Sequence, residues 1–95
     1  MLSGKQKRYL RSLAQNEQAL FQVGKDGLSD NLIETVDKAL AARELVKIKF
    51  LKTIPEDPKE IAFDLAMHTK SELVQMIGHT IVLYRKAKEP KIQLP

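Results

Sequence analysis

A short glycine loop is the feature that most constrains how this chain can fold. Gly24-Lys25-Asp26-Gly27 follows the apolar run of residues 19–23 and leads into a segment that begins at Ser29. The apolar run is typical of a strand and Ser29 of a helix N-cap, so the sequence predicts a strand, a loop and a helix. Glycine tolerates positive φ and close backbone approach, Lys25 adds positive charge, and the N-terminus of a helix attracts anions. The pattern favours phosphate groups, but a tight turn explains the same four residues.

The length and charge of the chain limit its class. Its 95 residues, of which 43% are apolar, suffice for one compact core and are too few for two, so residues 1–95 are predicted to form a single domain. The net charge of +4 favours anionic partners. Bases concentrate near both ends of the chain and acids follow Pro55, which predicts an electrically two-sided molecule.

The first helix is predicted over residues 4–15, with Ser3 as its cap. One side carries the apolar residues Leu2, Tyr9, Leu10 and Leu13, and the other side carries Lys5, Lys7, Arg8 and Arg11. A solvated face explains such a row of bases, but none of the four has an acid three or four residues later, which favours an anionic partner. A membrane-surface helix would need a larger apolar face.

Hydrophobic periodicity predicts the remaining elements. A second helix is capped by Ser29 and runs to about residue 43, with Leu28 and Ile33 spaced as a hydrophobic staple. A strand over residues 45–51 alternates between apolar side chains and lysines, and two more strands, 73–77 and 80–84, form a hairpin around Gly78-His79. The tail, residues 87–95, is expected to be frayed.

A third helix is predicted over residues 58–68, and the acids at its start are explained by the helix dipole. Ile61 and Leu65 share one face while Phe63 and Met67 lie on another, so the helix is either wedged between two layers or offers a contact surface. The predicted fold class is α/β: an N-terminal helix followed by a two-layer βαβαββ domain with a four-stranded mixed sheet. The order of the strands is left open.

Four blocks of the chain resemble the CRM domain, the chloroplast RNA splicing and ribosome maturation domain, which occurs alone in small YhbY-like bacterial proteins. The blocks are residues 4–11, 23–29, 44–48 and 75–85. The resemblance implies an RNA-binding domain with a fold similar to the C-terminal domain of bacterial translation initiation factor three. Stand-alone bacterial members are associated with precursors of the large ribosomal subunit, and organellar relatives act in intron splicing.

Carried over by position, the resemblance implies RNA contacts in three places. The glycine loop supplies Gly24, Lys25, Asp26 and Gly27, and the first helix supplies Lys5, Lys7, Arg8 and Arg11. The turn Gly78-His79-Thr80 also matches, so His79 is a candidate contact beside a purely structural role, and Arg85 ends the same block. Asp26 weakens the positive potential of the loop and is an alternative cap for the second helix.

An enzyme is the competing class, and the residues do not favour it. The two histidines, His68 and His79, belong to no zinc motif, and the glycine loop lacks the ending of a phosphate-binding Walker motif. No catalytic residue, metal site or cofactor is predicted. A second alternative is a protein-binding adaptor that docks on ribosomal proteins or assembly factors through Phe63, Met67 and the third helix.

RNA is preferred to duplex DNA because no helix-turn-helix pattern is present, and most aromatic residues lie at apolar positions, unsuited to stacking bases. The chain has no cysteine, no apolar leader and no run of about 18 apolar residues, which predicts a soluble, cytoplasmic protein, as a monomer.

Overall fold

One four-stranded sheet organises the fold in the computed structural model, which describes residues 2–95. In chain order the elements are α1 (Gly4–Gln15), β1 (Phe21–Val23), α2 (Asp30–Arg43), β2 (Leu45–Phe50), α3 (Pro58–His68), β3 (Glu72–Ile77) and β4 (Thr80–Tyr84). The strand order is β1-β2-β4-β3, in which β1 is parallel to β2 and the other neighbours are antiparallel. The predicted fold class is confirmed, and the strand order that the sequence left open is now defined.

The helices begin where their capping residues predict. Ser3 Oγ accepts a hydrogen bond from the N–H of Gln6, and Gln6 Oε1 accepts one from the N–H of Ser3, which completes a capping box. Ser29 Oγ accepts from the N–H of Leu32 at 3.1 Å, so Ser29 is the N-cap of α2. The first strand is shorter than predicted. Residues 19 and 20 are exposed, and the paired register with β2 begins at Phe21.

The main core lies between the sheet and the two helices α2 and α3. Alternate residues of β2 point into it, and they are buried with residues of β4, α2 and α3: Val46, Ile48, Phe50, Ile81, Leu83, Val36, Leu40, Ile61 and Leu65. This alternation is the pattern that the sequence predicted for a strand with one buried face. The third helix therefore buries Ile61 and Leu65 and leaves Phe63 and Met67 exposed. Of the two alternatives left open by the sequence, it offers an apolar contact surface and is not wedged between two layers.

A smaller core covers part of the opposite face of the sheet. Leu10 and Ala14 of α1 pack with Val74, Val82 and Tyr84 of the hairpin, and Ile92 and Leu94 of the tail join the margin. Across the same face, Gln22 of β1 and Lys49 of β2 are neighbours in register and both are exposed. Helix α1 therefore covers Val74, Val82 and Tyr84 on this face, and it leaves open β1 and the hairpin end of β3, where Ile77 is exposed.

A buried carboxylate attaches the tail to the domain. Glu44, at the end of α2, is 0% exposed, and its carboxylate accepts hydrogen bonds from the N–H groups of Ala87, Lys91 and Ile92. Burial by itself raises the pKa of Glu44, but these three hydrogen bonds and the charge of Lys91 outweigh it, so the pKa lies below its ordinary value. The tail, for which the sequence predicted fraying, has no helix or strand and contacts the domain at this carboxylate.

We expect Glu44→Gln to destabilise the protein by about 3 kcal/mol, because the amide cannot accept all of the hydrogen bonds that the carboxylate accepts. A depressed pKa contributes stability above the ordinary value and loses it as the pH falls through the folded value, so the wild type should lose stability below about pH 4.5. The variant should lack that part of the pH dependence. Urea unfolding between about pH 7 and about pH 3 measures both effects.

The matched control is Glu89→Gln, a change of the same kind at an exposed position of the tail. Equal stability and equal pH dependence of the two variants would show that the Glu44 carboxylate does not stabilise the fold.

Candidate nucleic-acid interface

Three turns meet at one end of the sheet: the glycine loop after β1, the turn after β2 and the hairpin turn between β3 and β4. Hydrogen bonds from the end of β2 connect the other two turns to it. The N–H of Leu51 donates to the carbonyl of Val23, which precedes the glycine loop (residues 24–27), at 2.8 Å. The N–H of Phe50 donates to the carbonyl of His79, in the hairpin turn, at 2.6 Å. Since neighbouring strands lie about 4.8 Å apart, the glycine loop and the hairpin turn are about 10 Å apart across β2. We call this end of the sheet, where the three turns lie, the loop end.

The glycine loop is a closed turn in which the two glycines differ. The N–H of Gly27 donates to the carbonyl of Gly24 at 2.9 Å, and Gly27 has a φ of +56°, a conformation that side-chain-bearing residues rarely adopt. Gly24 has no positive φ, and a Cβ added to it would meet Leu51 and Thr53 at 3.5 Å, which is an ordinary contact. Only Gly27 therefore needs the conformational freedom that the motif suggested for both.

Glu56 supports the loop from the turn that follows β2. Its Oε2 accepts a hydrogen bond from the N–H of Leu28 at 3.3 Å, and a Cβ added to Gly27 would lie 2.0 Å from its Oε1. The helix-dipole explanation for this acid is therefore incomplete: Asp57 caps α3, and Glu56 faces the glycine loop. The sequence could not predict this contact because it joins residues 28 positions apart.

Asp26 does not cap α2. Its side chain is exposed and makes no hydrogen bond to another described residue, while Ser29 supplies the cap. The alternative capping role for Asp26 is wrong, and its carboxylate lies free within the loop, next to Lys25, which is also exposed.

Two lysines that the sequence did not single out as RNA contacts also lie at the loop end. Lys49 is exposed between Gln22 and Thr80 in the register of the sheet, and Lys52 is exposed in the turn after β2. Neither forms an ion pair among residues 2–95. The alternation of β2 in the sequence predicts the face of the sheet on which Lys49 lies. It does not predict that α1 leaves this part of the face open.

The first helix crosses the sheet from β3 to β2, so its bases are spread along that crossing. The N–H of Leu2 donates to Glu72 Oε1 at the start of β3, whereas the other end of α1 is capped by Lys47, whose Nζ donates to the carbonyls of Ala14 and Glu17. Lys47 is thus a structural cap.

The four bases of α1 also differ in exposure. Lys5 and Arg8 are exposed and face away from the sheet, while Lys7 and Arg11 are half-buried at the border between the helix and the open part of the face. None of the four forms an ion pair within the described chain.

Of the two candidates from the hairpin, the structure brings only His79 to the glycine loop. His79 is exposed, and its carbonyl accepts the hydrogen bond from Phe50. Arg85 lies at the opposite end of the sheet, where its guanidinium donates to Asp37 Oδ1 at 2.5 Å and to the carbonyls of Asp37 and Thr69. These bonds tie α2 to the turn between α3 and β3, so Arg85 is engaged within the domain.

We expect Gly27→Ala to lower the free energy of unfolding by at least about 2 kcal/mol, because the left-handed conformation is strained and Glu56 must move away from the new methyl group. The matched variant Gly24→Ala should change stability by less than about 0.5 kcal/mol, since its methyl group has room. Urea denaturation of both variants measures the difference. Equal effects would contradict this account of the loop.

The described residues, 2–95, contain no helix long and apolar enough to cross a membrane. The same residues hold no group of three or more histidine, cysteine, aspartate or glutamate side chains arranged to bind a metal ion.

Comparison with known proteins identifies the family. The CRS1 / YhbY (CRM) domain matches residues 2–85. Probable RNA-binding protein YqeI of Bacillus subtilis is 51% identical over the full length of both chains, and an RNA-binding protein of Haemophilus influenzae is 38% identical over 99% of this chain and 95% of its own. The solution structure of hypothetical protein SAV1595 from Staphylococcus aureus superposes with a TM-score of 0.83 at 52% identity, with full coverage of both chains. The resemblance seen in the sequence is confirmed, and the chain belongs to the CRS1/YhbY (CRM) domain family.

Proposed function

We propose that this protein binds large-subunit ribosomal RNA, or the precursor particles that contain it, and assists ribosome maturation without catalysis. Its relatives are named as RNA-binding proteins, which supports the RNA part of the proposal. The observation that carries it is the loop end of the sheet, where a closed glycine loop stands beside three exposed lysines: Lys25, Lys49 and Lys52. In this proposal the protein acts in the cytoplasm as a monomer.

The proposed contact surface combines backbone and charge. The glycine loop presents its backbone to phosphates, and the nearby lysines neutralise them, although Asp26 subtracts one charge. The surface continues along the open face of the sheet to α1. It consists of Lys5, Lys7, Arg8, Arg11, Gly24, Lys25, Gly27, Lys49, Lys52 and His79, and it leaves out Arg85, whose guanidinium is already bonded within the domain.

Three of the five aromatic rings are unavailable for stacking on bases, whereas Tyr9 of α1 and Phe63 of α3 are 39% and 60% exposed. Phe50 and Tyr84 are buried, and Phe21 is packed against the main core, so these rings are not available as platforms for bases. Recognition should therefore depend mainly on backbone contacts and the shape of the RNA.

Charge reversal should distinguish RNA binding at this surface from a general attraction of RNA to a basic protein. We expect the double variant Lys25→Glu, Arg8→Glu to bind a large-subunit ribosomal RNA fragment at least tenfold more weakly than the wild type, because two phosphate contacts become repulsive. With about five phosphates neutralised, a plot of the logarithm of the wild-type affinity against the logarithm of the salt concentration should have a slope near −3.5. The slope for the variant should be shallower by about 1.4. Filter binding over a range of salt concentrations gives both values.

The control is the double variant Lys38→Glu, Lys59→Glu, which makes the same change in net charge on exposed positions of α2 and α3. Equal losses in the two double variants, or a wild-type slope near zero, would contradict binding at the proposed surface.

A second candidate function is docking on a protein of the ribosomal particle through α3. Phe63 and Met67 lie one turn apart on this helix and are 60% and 67% exposed. Glu60 and Asp64 border them, and the helix packs on the face of the sheet opposite α1. The two surfaces are therefore on different sides, and one protein can use both.

Sedimentation distinguishes the two functions. We expect the wild type to co-sediment with large-subunit precursors on sucrose gradients at low salt and to dissociate at high salt, and the Lys25→Glu, Arg8→Glu variant to stay at the top. If α3 docks on a protein, Phe63→Ala, Met67→Ala should lose co-sedimentation while its affinity for naked RNA is unchanged. Co-sedimentation equal to that of the wild type would exclude the docking role of α3, and a wild type that stays at the top would contradict the ribosomal proposal.

A further inference from the structure

A hollow of about 340 Å³ lies on the open face of the sheet, between the last turn of α1 and the β3–β4 hairpin. Gln15 borders it from the helix, Gln75 and Ile77 from β3, and Thr80 and Val82 from β4. Its size is at the lower end of the range for small-molecule sites, about 300–1,000 Å³, so it fits one small group and no longer stretch of a ligand.

The lining combines an apolar surface with free hydrogen-bonding groups. Ile77 is 66% exposed at the end of β3 and supplies the aliphatic part of the lining. The side chains of Gln15, Gln75 and Thr80 make no hydrogen bond to any residue within 2–95, so their donors and acceptors are available. An aliphatic surface beside amides and a hydroxyl suits a flat heterocycle with donors and acceptors on its edge, which is the chemistry of a nucleobase.

The surroundings of the hollow are suited to the phosphates next to such a base. Thr80 pairs with Lys49 in the sheet, so an exposed lysine stands directly beside the hollow. Arg11 lies one turn before Gln15 on the same side of α1. The glycine loop follows β1 at the same end, about 14 Å from β3 by strand spacing, a distance that a few nucleotides of single strand can cover.

We propose that this hollow holds one unstacked base of a single-stranded RNA segment, whose neighbouring phosphates lie on Lys49 and the glycine loop. This inference rests on the proposed RNA binding and specifies its ligand as single-stranded. A base within a duplex is stacked and paired, so its faces and edge are not available to the hollow, whereas a base in a loop or bulge can turn outward.

The test compares two oligoribonucleotides of equal length, one intact and one with abasic residues at its central positions. The wild type should bind the intact oligomer about tenfold more tightly, and Gln75→Ala, Ile77→Ala should remove that difference by weakening only the intact complex. The salt dependence should be the same for wild type and variant, because no phosphate contact has changed. Fluorescence anisotropy measures each affinity.

The matched control is Gln18→Ala, Leu20→Ala, which removes an exposed glutamine and an exposed aliphatic residue from the segment between α1 and β1, outside the hollow. It should bind both oligomers as the wild type does. Thermal unfolding checks that each variant is folded, and Gln75→Ala alone replaces the double variant if that one is unstable.

The outcomes separate this proposal from the one on which it rests. Equal binding of both oligomers by the wild type, or equal affinities of the two double variants for the intact oligomer, overturns the base site and leaves phosphate binding intact. Failure of the wild type to bind either oligomer overturns the RNA surface itself and the base site with it.

Discussion

The alternation of side chains along β2 is the constraint on which the rest of the structure depends. Val46, Ile48 and Phe50 point into the main core, while Lys47 and Lys49 point to the opposite face. Because a shift of one residue would exchange the two sets, the buried residues fix the register, and the register fixes where the lysines lie. Lys47 then caps α1 and Lys49 stays exposed beside the open face. The register of β2 thus determines which of its side chains enter the main core, which lysine caps α1 and which lysine lies in the candidate interface.

The sequence predicted the elements well because their signals are local. Ser3 and Ser29 cap helices at positions that depend on the next three residues, and the alternation of β2 is visible within six residues. The fold class followed from the order of these elements and was confirmed. The strand order was not accessible, because the pairing of β2 with β4 joins segments more than thirty residues apart, separated by α3 and β3.

The candidate site was predictable only in part, for the same physical reason. The glycine loop is a local pattern, but the different needs of Gly24 and Gly27 depend on Glu56, which reaches the loop from another turn. Arg85 is a base near other bases in the sequence, yet its guanidinium bonds to Asp37 and Thr69. Lys49 has an unremarkable position in the sequence, and its exposure beside the loop end follows from the extent of α1.

The attachment of the glycine loop has a consequence for the entropy of binding. The hydrogen bonds from Leu51 to Val23, from Gly27 to Gly24 and from Leu28 to Glu56 order the loop within the free protein. A flexible loop loses conformational entropy when a ligand immobilises it, whereas a loop that is already ordered avoids most of that loss. In the proposed RNA complex, the free energy of each phosphate contact would then be available to affinity, and binding would need no folding step.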